Sequence, residues 1–140
     1  MIRKAVESNI EALCAIDTAT RDDASRHDFI SRQVREGSCY VLIDEKDGQI
    51  AAYGVLNYGF YNCGMIDMLM VEPDMRRRGF GSELMRRMES ECRTNKLFTS
   101  TNESNAPMRS FLAKLGYSPS GIIHNLDPGD PELIFFKRLR

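Results

Sequence analysis

The apolar positions of this chain change period several times, and each change falls beside a turn or capping residue. Met1–Val6 fits a short strand, and Ser8 is placed to cap a helix in which Ile10, Leu13, Cys14 and Ile16 recur at helical spacing. A thin stripe of Phe29, Ile30 and Val34 predicts a second helix over Arg26–Glu36. Tyr40–Ile43 and Ile50–Leu56 flank Glu45-Lys46-Asp47-Gly48, whose Asp-Gly pair predicts the turn of an antiparallel hairpin. Tyr58–Asn62 leads to Met65–Val71, which is apolar throughout except for Asp67, the pattern of a central strand covered on both faces. From Gly79 to Arg93, Phe80, Leu84, Met88 and Cys92 recur every four positions, with Met85 beside them and charges opposite, so an amphipathic helix follows. Leu97–Thr101 makes the next strand. Asn105 caps a helix carrying Met108, Phe111, Leu112 and Leu115 on one face, and Gly116 stops it. A strand near Ile122–Leu126, the connection Asp127-Pro128-Gly129-Asp130-Pro131 and a last strand, Leu133–Lys137, complete the pattern.

About seven strands and about four helices thus predict an α/β (α+β) fold with a mixed central sheet. At 140 residues, 42% of them hydrophobic, the expectation is one domain over residues 1–140. The strand, helix, strand succession from Met65 to Thr101 makes those two strands parallel, and ligands of such sheets sit beyond the carboxyl ends of the strands. A net charge of −1 with dispersed basic residues argues against a nucleic-acid or anionic-membrane surface. No apolar run approaches the length of a membrane span, so a cytoplasmic protein is expected. Cys14, Cys39, Cys63 and Cys92 lack Cys-x-x-Cys spacing and read as reduced thiols; with His27 and His124 isolated, no metal site is expected.

The segment Arg76-Arg77-Arg78-Gly79-Phe80-Gly81-Ser82 changes this picture. It follows the central strand and opens a helix, where the macrodipole repels cations. Three arginines there make sense if an anion binds. Bare N–H groups, glycines that allow close approach and guanidinium forks together describe a polyphosphate site.

The run Met68-Leu69-Met70-Val71-Glu72-Pro73-Asp74-Met75-Arg76-Arg77-Arg78-Gly79-Phe80-Gly81 resembles the signature of the GNAT superfamily, the acyl-CoA-dependent N-acetyltransferases, in which Arg/Gln-x-x-Gly-x-Gly/Ala follows the central strand. Asn105 and Lys114-Leu115-Gly116-Tyr117 look like the family's second cofactor-contacting helix, and Ile2-Arg3-Lys4-Ala5 with the helix after it is similar to its usual start. The resemblance implies acetyl-CoA or CoA as cofactor. It implies that the backbone of Leu69 and Val71 pairs with the pantetheine arm, that an N–H near Met70 or Val71 meets the thioester oxygen, that the turn matched by Arg76, Gly79 and Gly81 holds the pyrophosphate through the N–H groups of Arg77, Arg78, Gly79, Phe80, Gly81 and Ser82, and that Asn105 approaches pantetheine.

Transfer to an amine needs more than a cofactor cradle, because an amine of pKa near ~10 must lose a proton before it attacks a thioester. Asp67 is the candidate base, on the expectation that burial in an apolar strand prepares it, and Glu72 is the reserve. Ile66-Asp67-x-Leu69 resembles aminoglycoside 6′-N-acetyltransferases at this point. Where many family members have a tyrosine to protonate the leaving thiolate, this chain has Leu112, which leaves water, Tyr58, Tyr61 or no acid. No cysteine stands in a nucleophile position, so direct attack in a ternary complex is expected. Asp127, Asp130 and Glu132 suggest a cationic acceptor, and a small amine, an aminoglycoside or a protein N-terminus all qualify. The alternative is a catalytically silent acyl-CoA-binding module. The apolar last strand leaves a homodimer open, as it does a monomer that covers this edge itself.

Overall fold

The computed structural model describes residues 1–17 and 24–140. The chain runs β1 (Ile2–Lys4), α1 (Ile10–Ile16), α2 (Ala24–Arg35), β2 (Cys39–Ile43), β3 (Ile50–Phe60), β4 (Cys63–Val71), α3 (Phe80–Glu91), β5 (Lys96–Asn102), α4 (Ala106–Lys114), β6 (Ser118–Ile123) and β7 (Glu132–Arg138). The strands form one mixed sheet in the order β1-β2-β3-β4-β5-β7-β6, which puts β4 in the middle, as its apolar pattern predicts. β4 and β5 are parallel, whereas the pairs β1/β2, β2/β3, β5/β7 and β6/β7 are antiparallel. Among the described residues no helix is long and apolar enough to cross a membrane.

Contacts divide the chain into two compact units, residues 1–56 with 68–91 and residues 57–67 with 92–140. The core of the first gathers Leu13 of α1, Ile30 and Val34 of α2, Val41 of β2, and Tyr53 and Val55 of β3. Alternation along β3 sets this face. Gly54, between Tyr53 and Val55, points the other way, where a Cβ would stand 2.6 Å from Met88 Cε of α3. The glycine is what allows α3 to lie so close.

The second unit packs Phe98 of β5 between Phe60, at the end of β3, and Phe136 of β7, with tilted rings and centroid separations of 5.2 and 5.3 Å. Gly64 is compressed here. A Cβ on it would meet Cys92 Sγ at 2.4 Å, and its N–H donates to Thr94 Oγ1 at 2.9 Å.

Three expectations need correction, and one left open is narrowed. Ser8 does not cap α1: Glu7–Asn9 form a 3₁₀ turn, and it is the Asn9 Oδ1 that reaches back to accept the Val6 N–H at 2.9 Å. β3 runs to Phe60, four residues past the predicted end, because Tyr61 and Asn62, both at positive φ, are the turn into β4. β6 starts at Ser118 rather than near Ile122. Its first residues, Ser-Pro-Ser-Gly, carry no strand propensity, and the ladder with β7 shifts register between Pro119 and Gly121. The last strand, β7, has both edges taken, by β5 and β6, so the chain itself covers the apolar edge of Leu133–Phe136 and β6 is the outermost strand.

Candidate functional site

The turn between β4 and α3 carries the Arg76–Ser82 segment singled out in the sequence. Glu72 ends β4 by donating its N–H to Ala51 O at 2.8 Å, and its carboxylate accepts the Asp74 N–H at 2.8 Å, closing the short 3₁₀ turn Pro73–Met75. Met75 is buried and pins that turn. The chain then takes positive φ at Arg77 (66°) and Gly79 (82°) before α3 begins. Nothing lies within 4 Å of a Cβ built on Gly79, so glycine is needed there for its φ. Glu83 N–H makes the first helical bond, to Gly79 O at 3.1 Å. The N–H groups of Phe80, Gly81 and Ser82 precede that bond and have no acceptor within the helix. They lie where the sequence predicts a pyrophosphate site.

The three arginines do not act alike. Arg76 folds back along β4, its Nε donating to Val71 O at 3.3 Å. Arg78 pairs with Asp44 of the β2–β3 turn (Nη2 to Oδ2, 3.0 Å) and stacks on the Phe80 ring at 4.7 Å. The Asp44 side chain is only 7% exposed, and its carboxyl is held below the usual range, chiefly by the Lys46 N–H that donates to Oδ1 at 3.1 Å and further by Arg78, against the opposing effect of burial. Arg77, exposed, has no hydrogen-bond or ion-pair partner among the described residues.

Asp67 corrects another expectation. It is exposed, not buried: the β4–β5 ladder pairs Gly64, Met65 and Ile66 with Leu97, Phe98 and Thr99, and Asp67 follows the last of these pairs. Burial therefore does not prepare it as a base. What it has instead is a partner, Asn57 of β3, whose Nδ2 donates to Asp67 Oδ2 at 2.6 Å. Sequence reasoning missed Asn57. The signal was a polar residue interrupting an apolar strand, as Asp67 interrupts the next one. Leu69, Met70 and Val71 are half-buried at the carboxyl end of β4, and Glu72 lines a cleft with Asp74, Ile16, Ile43 and Ile50.

Asn105 caps α4 as expected, its Oδ1 accepting the Met108 N–H at 3.2 Å. Leu112 is 2% exposed on the core side of α4. Tyr58 and Tyr61 are not placed to replace a missing acid at the carboxyl end of β4. Tyr58 OH accepts the Arg93 N–H at 3.0 Å under the Arg93 guanidinium, beside Thr94, which holds Gly64 at the start of β4. Tyr61 is 85% exposed in the turn that enters the same end. In the second unit Asp127 accepts from Asn102 at 2.9 Å, Asp130 from Ser104 N–H and Oγ at 3.0 and 2.6 Å, and Glu132 from Ser100 at 2.7 Å, so this acidic connection is tied to the end of β5. No group of three or more His, Cys, Asp or Glu side chains that could hold a metal ion occurs among the described residues.

The sequence model of the acetyltransferase (GNAT) family matches residues 6–117. None of the functionally curated proteins matches the chain. Among solved structures, a GNAT-family acetyltransferase from Bacillus cereus ATCC 10987 is similar with a TM-score of 0.89 and 34% identity, over 99% of this chain and 96% of that one. Ard1 from Thermoplasma volcanium (TM-score 0.85, 19% identity, 99% and 96% covered) and a ribosomal-protein-alanine N-acetyltransferase from Brucella melitensis (0.77, 19%, 99% and 99%) share the fold. With a family match over most of its length, and with a phosphate-type turn between the central strand and α3, this chain belongs to the GNAT acetyltransferase family.

Proposed function

We propose that the protein, acting as one domain over residues 1–140, transfers the acetyl group of acetyl-CoA to a primary amine by direct attack in a ternary complex. The observation that carries this reading is the turn after β4, where the N–H groups of Phe80, Gly81 and Ser82 stand ahead of the helical ladder beside the unpartnered Arg77. In this reading the N–H groups from Arg77 to Ser82 hold the pyrophosphate, and the backbone of Leu69 and Val71 pairs with pantetheine. Asn105, whose oxygen serves the cap, offers its amide N–H groups to the same arm. Asp67 takes the amine proton, with Glu72 as reserve. The nitrogen lone pair forms the C–N bond at the thioester carbonyl, whose oxygen is met by an N–H near Met70 or Val71, and the C–S bond then breaks with its electron pair on the CoA sulfur.

The acceptor class is a small cationic amine, an aminoglycoside or a protein N-terminus. The Brucella melitensis protein of the same fold is, by its name, an N-acetyltransferase of ribosomal-protein alanine. With Leu112 buried and Tyr58 and Tyr61 at the other end of β4, the thiolate leaves without a tyrosine acid. That absence is also what favours the second reading, a silent acyl-CoA-binding module. Isothermal titration with acetyl-CoA and CoA decides the cofactor: micromolar binding that Gly81→Asp weakens at least tenfold is expected, and no wild-type binding overturns the proposal. An amine panel with Asp67→Asn separates the two readings. Turnover lost at unchanged acetyl-CoA affinity supports the enzyme, and binding without turnover supports the module.

A further inference from the structure

We infer that Asn57 is the positioning residue for the Asp67 carboxylate, an inference that rests on Asp67 being the base. A carboxylate on an exposed strand position samples several rotamers, and a proton acceptor is effective only when one oxygen is held in line with the attacking amine. Asp67 is such an exposed side chain. Its Oδ2 is held by Asn57 Nδ2 at 2.6 Å, a short charge-assisted hydrogen bond. The Asn57 carboxamide is itself oriented: it is half-buried, and its Oδ1 faces the Gly59 N–H at 3.5 Å, which turns the N–H groups toward Asp67. One carboxylate oxygen is thereby occupied and the other, Oδ1, is presented.

Asparagine is among the poorer residues for the interior of a strand, and here it follows seven consecutive strand residues, Ile50–Leu56, none of them charged. A purely structural strand position would favour a β-branched or aromatic side chain. In the transfer step the amine proton passes to Asp67 Oδ1 as the nitrogen bonds to the acetyl carbon, while Asn57 keeps Oδ2 in place and carries no proton itself. Asn57 acts through Asp67 and touches neither cofactor nor acetyl group.

The test is a double-mutant cycle with Asn57→Ala, Asp67→Ala and the double variant, using whichever of spermidine, kanamycin and an alanine-initiated peptide the wild type acetylates fastest, and following release of the CoA thiol. Asn57→Ala is expected to lower kcat about tenfold, part of the full contribution of a general base, with the KM for acetyl-CoA unchanged within about twofold. The double variant should match Asp67→Ala alone. Losses that multiply in the double variant, or a wild-type kcat in Asn57→Ala beside a collapsed Asp67→Ala, overturn the positioning role and leave the base standing. A wild-type kcat in Asp67→Ala overturns the base and the inference together. Side-chain amide NMR reads the contact without any acceptor: the Asn57 NH₂ resonances should move toward random-coil positions in Asp67→Ala, and unmoved resonances refute the inference.

Discussion

Tyr53→Phe isolates one hydrogen bond in the core of the first unit. Tyr53 and Asp17 are both 0% exposed, and the phenol donates to Asp17 Oδ2 at 2.5 Å. The same oxygen takes Arg26 Nη1 at 3.1 Å, and that nitrogen also lies 3.6 Å from Met68 Sδ of β4. The network thus ties the end of α1 and the start of α2 to β3 and β4. Phenylalanine keeps the ring and its packing, so the loss is that of a hydrogen bond to a buried carboxylate, about 1.5–3 kcal/mol. At about 2.1 cal/mol/K of unfolding entropy per residue, a chain of this length loses about 0.3 kcal/mol per degree, so Tm should fall by about 5–10 °C. Far-UV circular dichroism at pH 7 reads the shift, and urea titration at unchanged m confirms that stability moved. A fall below about 1 °C would refute the account of the Asp17 network.

The same hydroxyl has an alkaline signature. Burial, and then the hydrogen bond and charge of Asp17, push the Tyr53 phenol well above its ordinary value. Above pH ~10 the unfolded chain releases this proton while the folded one retains it, so the contribution is complete below that pH and fades as pH rises further. The gap between wild type and Tyr53→Phe should narrow accordingly.

Arg77→Ala should weaken acetyl-CoA binding about tenfold or more without changing Tm, whereas Arg78→Ala should lower Tm by exposing Asp44 without its partner; the reverse assignment, read by calorimetry and thermal melts, would refute the division of roles. Gly64→Ala forces a Cβ to 2.4 Å from Cys92 Sγ and 3.2 Å from Leu97 Cδ1, and a loss of at least about 1–3 kcal/mol is expected, against about 1–2 kcal/mol for Gly79→Ala, where only φ resists; equal melting temperatures would contradict the packing argument. Because the Asp44 carboxyl is held low, its contribution is present above pH ~4 and lost as pH falls further, so acid titration of stability should bring wild type and Arg78→Ala together below that pH; a constant gap would show that the ion pair is not the cause.

The fold was legible wherever one face of an element is buried and the other wet. α3 shows Leu84, Met85 and Met88 buried at the predicted spacing, and α4 stops just ahead of Gly116, which takes a φ of 91°. β6 was misplaced for the opposite reason: all six residues are exposed, so no burial pattern marks them, and pairing with β7 alone makes the strand. The Asp17–Arg26–Tyr53 network and the Asn57–Asp67 pair were unreadable because they join residues 36, 9 and 10 positions apart through the fold. No local period links such positions. Asp67 itself was found by type and misjudged by environment, since an apolar strand covers its residues only as far as the neighbouring ladder extends.

The arginine cluster shows how such a misjudgement is corrected by geometry. Three cations at a helix start imply a strong anion site if all three charges are free, but a side chain's charge counts for a ligand only after its protein partners are subtracted. Asp44 neutralises Arg78, and the guanidinium stays stacked on Phe80. Arg76 spends its Nε on the Val71 carbonyl, at the strand end where the chain must turn. Arg77 remains, held at φ of 66° in a conformation that costs a non-glycine residue about 1–2 kcal/mol. That strain carries the next N–H groups into the turn ahead of α3, so the donors of this turn come from backbone conformation and its unneutralised charge from Arg76 and Arg77, since a carbonyl acceptor leaves the Arg76 charge in place. Anion binding at this turn should depend more on Gly79, Gly81 and the turn than on the number of arginines, and salt should weaken it as it weakens two unneutralised cations rather than three.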